Sequence, residues 1–279
     1  MRRPRSSSPS RGCARNIWVS SDPRLSSTRI VDVAGQTLEC VRIGIDRAGP
    51  TLVFLHEGLG SVALWRDFPQ RAADATRRPA LIYSRAGYGR STMPAAARTP
   101  SYMHDEALVT LPALLDALDI ADAILIGHSD GASIALIHAG ARIRPVRALV
   151  AMAPHVFVEE LSIASIAQVT RDYESTGLRD RLGRYHADAD SAFRGWSDIW
   201  LSPAFRDWNI EAILPGIDCP LLLIQGRDDE YGTLAQLDAI EHQVRGPVQR
   251  VVLPDCGHSP HRDQPQATLA AIAGFVSAV

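Results

Sequence analysis

Cysteine is scarce in this chain: four in 279 residues, Cys13, Cys40, Cys219 and Cys256, with no C-x-x-C pair among them. That spacing argues against a zinc site and a disulfide-held scaffold, and no metal is expected. Long apolar runs are missing as well, and none approaches the ~18 residues of a membrane-spanning helix. Neither sign of charge dominates, since the formal net charge is −2, so nucleic acid and acidic surfaces have no electrostatic claim as partners. No internal repeat is evident. The first 25 residues lack acids before Asp22 and carry Arg2, Arg3, Arg5, Arg11 and Arg15 among serines. They read as a disordered tail, without the apolar segment of a secretory signal, and Pro4 and Pro9 oppose the amphipathic helix of a transit peptide. A cytoplasmic location is therefore expected, with a homodimer as one candidate assembly.

What the chain does contain is apolar material in strand- and helix-sized pieces. Hydrophobic residues make up 46% of it, enough for a sizeable core in one large α/β domain or two small ones. Residues 28–33 and 37–44 flank Ala34-Gly35-Gln36 and predict an opening antiparallel hairpin. Thr51–Leu55, Ala80–Tyr83, Ala123–Ile126, Val146–Met152, Leu221–Gln225 and Gln249–Leu253 are short apolar runs of the kind a parallel sheet buries on both faces. Helices are expected at about 64–75, 104–118 and 132–141. The alternation breaks at 154–218. These 65 or so residues replace a single connecting helix and concentrate Trp196, Trp200, Trp208, Phe193, Phe205, Tyr173 and Tyr185. Two readings of these aromatics stand side by side: they form the insertion's own core, or some, with Trp196 and Trp200 as candidates, line an apolar substrate pocket. His155 and His186, isolated in the same stretch, read as structural or solvated rather than as ligands.

Gly127-His128-Ser129-Asp130-Gly131 sits between a predicted strand and a predicted helix. A strand turning at once into a helix strains its middle residue, and flanking glycines remove the Cβ atoms that would collide. Ser129 would then stand at the carboxyl edge of the sheet, over a helix N-terminus that favours negative charge. A serine nucleophile also needs a base and an acid that orients it. Two late strands end in Gly226-Arg227-Asp228-Asp229-Glu230 and in Cys256-Gly257-His258, which supply both, with Asp228 and Asp229 open as the acid. The strand Thr51–Leu55 runs into His56-Glu57-Gly58-Leu59-Gly60, a turn able to point backbone N–H groups at a developing oxyanion. Gly87-Tyr88-Gly89 lacks the third glycine and the following helix of a dinucleotide site, so no cofactor is expected. His258 and His261 have no helix to present them and no third ligand, so they make a poor zinc pair.

The Gly-x-Ser-x-Gly turn, the order Ser…Asp…His and the strand alternation together resemble the α/β-hydrolase superfamily over roughly 29–279. The resemblance implies a mostly parallel sheet with an opening antiparallel hairpin, a core of 26–153 and 219–279, and a helical cap at 154–218. It further implies Ser129 as nucleophile, His258 as general base and Asp229 as the acid, with Asp228 competing, and the N–H groups of Gly58 and Asp130 as oxyanion donors. Two departures stand out. Glu57 occupies a position that is usually glycine; either it turns to solvent or pairs with a base such as Arg85, or it faces the pocket and meets a cation on the substrate. Ser84 and Ala86 stand where the family's Asp-x-Arg-Gly-x-Gly-x-Ser turn has its acid and arginine. The implied activity is hydrolysis of a small, largely apolar ester through an acyl-enzyme. Proline-iminopeptidase-like amide cleavage, C–C hydrolysis and enol-lactone hydrolysis are alternatives within the fold, and a non-catalytic receptor is one outside enzymology. Dehalogenation is disfavoured, because those relatives carry an aspartate where Ser129 stands.

Overall fold

The computed structural model describes residues 28–94 and 96–279, so the tail expected over 1–25 lies outside it. Strands β1 (Thr28–Val33) and β2 (Gln36–Ile43) form the opening hairpin. Its turn is one residue tighter than the sequence implied. Ala34 and Gly35 both take positive φ, 50° and 76°, as a two-residue hairpin turn of matching twist requires, and Gln36 pairs with Val33. Strands β3 (Thr51–Leu55), β4 (Ala80–Tyr83), β5 (Ala123–His128), β6 (Ala148–Met152), β7 (Leu221–Gly226) and β8 (Val248–Leu253) complete an eight-stranded sheet ordered β1-β2-β4-β3-β5-β6-β7-β8. All pairings beyond β2–β4 are parallel. Strands β3 to β7 are buried along their whole length, which is why they read as unbroken apolar runs rather than alternating ones.

Helices cover both faces. The one expected from residue 64 begins later, as α1 (Phe68–Thr76). Arg66 takes φ 53°, which a right-handed helix cannot hold, and the break turns Trp65 edge-on to Phe54, 5.4 Å away. The helix expected over 104–118 is α2 (Tyr102–Asp105), a widened π turn at Glu106–Thr110, and α3 (Leu111–Ala117). Pro112 has no N–H to offer the Leu108 carbonyl, which accounts for a disturbed ladder there. Helix α4 (Asp130–Gly140) follows β5 with Ser129 alone between them. Between β6 and β7 lie α5 (Glu160–Asp172), α6 (Leu178–Leu182), α7 (Ala189–Trp200) and two 3-10 turns. The last of these, Glu211–Gly216, packs on α4, where a Cβ on Gly216 would run into the Gly140 carbonyl. Helices α8 (Ala235–Gln243), α9 (Pro260–Asp263) and α10 (Pro265–Ser277) complete the chain, and α10 packs beside α1. No described helix is long and apolar enough to cross a membrane.

The turn after β4 recovers the acid it lacks from a neighbouring strand. Glu39 of β2 is 6% exposed, and its Oε2 accepts from Ser84 Oγ at 2.8 Å and from the Arg90 N–H at 3.0 Å. Ser84 Oγ in turn accepts from the Val62 N–H at 2.9 Å. Removing the carboxylate leaves buried donors facing nothing. Glu39→Ala is therefore expected to cost about 2–3 kcal/mol, as the loss of charged hydrogen bonds does. A urea midpoint unchanged from wild type would show that Glu39 does not brace this turn.

Candidate active site

Ser129 sits at φ 52° and ψ −121°, between the end of β5 and the start of α4. The flanking glycines explain how so tight a turn closes. A Cβ on Gly127 would strike the Gly131 carbonyl, and one on Gly131 would strike the Leu55 carbonyl. The strain is held by the sheet, with the Ser129 N–H donating to the Met152 carbonyl at 2.9 Å.

Three side chains from three loops meet here. Ser129 Oγ lies 2.9 Å from His258 Nε2, and His258 Nδ1 lies 2.8 Å from Asp229 Oδ1. The same Oδ1 accepts the N–H groups of Tyr231 and Gly232 at 2.9 and 3.2 Å. Burial pushes the Asp229 carboxyl up, but hydrogen bonds from His258 and Tyr231 outweigh it and hold the group below its ordinary pKa. An ionised Asp229 accepts Nδ1–H and leaves the Nε2 lone pair for the serine hydroxyl, which is the geometry for passing a proton from Oγ to Nε2. The neighbouring Asp228 is exposed. It is the backbone N–H of Asp228 that is used, donating to the Cys256 carbonyl at 3.0 Å.

Gly58 and Ser129 line one cavity of about 230 Å³. The backbone N–H groups of Gly58 and Asp130 donate to no acceptor among the described residues, so two donors remain for a negative oxygen. Gly58 must be glycine, because Trp196 Nε1 would collide with a Cβ there. Trp196 and Trp200, four residues apart on α7, both line the cavity. Other aromatics of the insertion lie behind them. Tyr173 stacks on Phe193 at 3.8 Å and Phe205 on Trp208 at 5.3 Å, away from the cavity lining. Trp196 and Trp200 belong to both groups, since they line the cavity and also pack on Phe193 and on Phe205 at ring distances of 6.0 and 5.0 Å. His186 is structural, its Nδ1 accepting the Gly89 N–H and its Nε2 donating to the Leu59 carbonyl, each at 3.0 Å.

Glu57 corrects the expected partner. Arg85 does not pair with its carboxylate but donates from Nη2 to the Glu57 backbone carbonyl at 2.8 Å. The carboxylate faces the cavity, 3.1 Å from Arg262 Nη2 and 3.5 Å from His128 Nδ1. Burial alone would raise its pKa, but His128 and Arg262 hold it well below the usual carboxylate range. Neutralisation across the fold, not distance, is how an acid is tolerated beside the free Gly58 N–H.

Among the lining residues that escape a reading of the sequence alone are His128, His155, Tyr231 and Arg262. His155 is 3% exposed, and burial followed by the nearby His258 lowers its pKa to about 4. At neutral pH it is an uncharged imidazole whose Nδ1 has no partner. His128 and Tyr231 carried a signal in their places inside the serine turn and two residues after the acid. Arg262 carried none, since its partner Glu57 is 205 residues away. His261, considered with His258 as a metal pair, packs instead against Trp65 and Phe68 at ring distances of 4.8 and 5.5 Å. Among the described residues, no group of three or more His, Cys, Asp or Glu side chains is placed to hold a metal ion.

Sheet order, serine turn and the acid–histidine pair on two late loops define an α/β hydrolase. The chain belongs to the alpha/beta hydrolase family, whose profile matches residues 52–272. Among curated relatives, a haloalkane dehalogenase of Mesorhizobium japonicum is 35% identical over 133 residues, covering 47% of this chain and 38% of that protein. The chain thus aligns with well under half of that relative. A 2-succinyl-6-hydroxy-2,4-cyclohexadiene-1-carboxylate synthase of an Enterobacter species is 26% identical over 260 residues, covering 82% of this chain and 94% of the relative. The crystal structure of an enol-lactonase from Burkholderia xenovorans superposes with a TM-score of 0.70 at 20% identity, covering 89% of this chain and 99% of that one. At that identity the likeness establishes the fold.

Proposed function

We propose that the protein is a serine hydrolase that cleaves small, largely apolar carboxylic esters through an acyl-enzyme, without a cofactor. The observation that carries this reading is the unbroken series Ser129 Oγ, His258, Asp229 at 2.9 and 2.8 Å, opening into a cavity lined by Gly58, whose backbone N–H is unused. In this reading Ser129 attacks the acyl carbon while His258 takes its proton, and Asp229 fixes the tautomer and stabilises the imidazolium. The Gly58 and Asp130 N–H groups receive the oxyanion. His258 then returns the proton to the leaving alcohol, and water repeats the sequence to release the acid. Residues 154–218 act as a cap that supplies Trp196 and Trp200 to the apolar wall, and the partner is a small molecule. The dehalogenase relative does not redirect this proposal: a serine alkoxide bonded to an alkyl carbon would leave an ether, which water cannot release as it does an ester.

A second reading draws on one observation, that Glu57 faces the cavity: its carboxylate would receive an amine on the substrate, as in iminopeptidase-like cleavage. Arg262 speaks against it by already occupying that carboxylate. The test sets p-nitrophenyl esters of rising chain length beside amino-acid anilides, with wild type and Glu57→Gln. Short-chain esters are expected to be turned over and anilides not. The Glu57→Gln change is expected to leave kcat/KM for neutral esters equal or slightly higher. A selective loss of about tenfold or more on amine-bearing substrates, about 1.4 kcal/mol, would replace the esterase reading with the amide one.

A further inference from the structure

The peptide group joining Glu57 to Gly58 has its two ends in different environments. Its N–H is that of Gly58, which lines the cavity with Ser129 and donates to no acceptor among the described residues. Its carbonyl oxygen points the other way and accepts three hydrogen bonds: from the Gly60 N–H at 3.0 Å, from His56 Nδ1 at 2.7 Å and from Arg85 Nη2 at 2.8 Å. The tautomer of His56 is settled by its other nitrogen, because Nε2 accepts the Arg85 N–H at 3.0 Å; Nδ1 must carry the proton. A carbonyl oxygen has two lone pairs, so three donors, one of them a guanidinium, load it beyond the ordinary complement.

Amide resonance connects the two ends. Density drawn onto the oxygen deepens the C–N double-bond character and leaves the N–H more positive, and hydrogen bonds in a buried chain strengthen one another in this way. The same guanidinium lies 3.6 Å from Asp130 Oδ2, and Asp130 supplies the second free N–H. Arg85 is 3% exposed and is absent from the cavity wall, so it cannot touch a substrate there.

We infer that Arg85 is a positioning residue for the reaction: through the Glu57 carbonyl it orients and polarises the Gly58 N–H that receives the oxyanion, and through the Asp130 carboxylate it helps to fix the residue that carries the second donor. This inference rests on the serine-hydrolase reading above. The competing account is that Arg85 only neutralises the buried Asp130, in which case its loss lowers stability and leaves the balance of transition state to ground state untouched.

The experiment uses the full chain and an aryl trifluoromethyl ketone, which adds the serine hydroxyl to its carbonyl and leaves an ionised hemiketal oxygen between the donors. The corresponding trifluoromethyl carbinol has the same shape and no such oxygen. Arg85→Lys keeps the charge but cannot span both partners. It is expected to lower kcat on p-nitrophenyl acetate about tenfold with KM within twofold. Ketone affinity should fall by a similar factor, and carbinol affinity should stay as in wild type. His56→Phe removes a second donor from the same carbonyl without touching a charge; it should shift the same quantities in the same direction and stands in should Arg85→Lys fail to fold. A folded variant with unchanged kcat and ketone affinity overturns the inference, as does an equal loss for ketone and carbinol. A wild-type protein that gives no ¹⁹F hemiketal signal, or one that persists in Ser129→Ala, overturns the serine-hydrolase reading itself and this inference with it.

Discussion

Ser129→Ala is expected to remove esterase activity almost entirely, with kcat falling on the order of 10⁶-fold, as loss of a hydrolytic serine does elsewhere. The fold should survive. Among the described residues the replaced hydroxyl hydrogen-bonds only with His258, while the backbone bonds that close the turn, from Ala132 and Ser133 to the Ser129 carbonyl at 2.8 and 3.1 Å, do not involve the side chain. A serine-directed phosphonate should accordingly label wild type at Ser129 and the variant nowhere. Two other serines make this a discriminating measurement. Ser259 also lines the cavity, and Ser133 lies one turn along α4 with its hydroxyl held by the His155 carbonyl at 2.6 Å. Label on either, or a Ser129→Ala protein that still turns over ester, would refute the assignment of the nucleophile.

Asp229→Asn is expected to cost on the order of 10⁴ in kcat. An asparagine amide at 2.8 Å from Nδ1 can present its N–H₂ to the ring, which reverses the tautomer and leaves Nε2 protonated toward Ser129. The lost charge also no longer favours the imidazolium. At Asp228 the same replacement touches an exposed carboxylate whose backbone, not side chain, is engaged, and a loss of about tenfold or less is expected for such a supporting position. Steady-state kinetics of the two variants on one ester decides between them. The opposite ranking would transfer the acid's role to Asp228 and require the loop after β7 to rearrange on binding.

These two acids show how far the sequence reaches. That an acid follows β7 and a histidine follows β8 is visible in the order of elements, because each strand is an apolar run with an abrupt polar end. Which acid is used depends on the turn: Asp229 points inward because the Tyr231 and Gly232 N–H groups fold back onto it. The elbow was legible in full, since collisions around Gly127 and Gly131 are local consequences of a five-residue pattern. The helix from residue 64 was misplaced for the opposite reason. Its apolar spacing is sound, but Arg66 takes a left-handed conformation that nothing in the residue type announces. Glu57 was legible as an anomaly and illegible as a solution, because Arg262 and His128 reach it only through the closed fold.

The Glu39–Ser84 hydrogen bond has a historical side as well. A carboxylate that braces the turn from β2 makes an aspartate at position 84 not merely unnecessary but unwelcome, since two acids would face each other across 2.8 Å of buried space where only one can ionise. The two positions are therefore epistatic. A lineage moving between the family's usual acid and this arrangement cannot change residue 84 first without losing the turn, nor residue 39 first without opposing two charges. The passage requires a neutral intermediate, such as glutamine at 39, or a period in which surplus stability covers the mismatch.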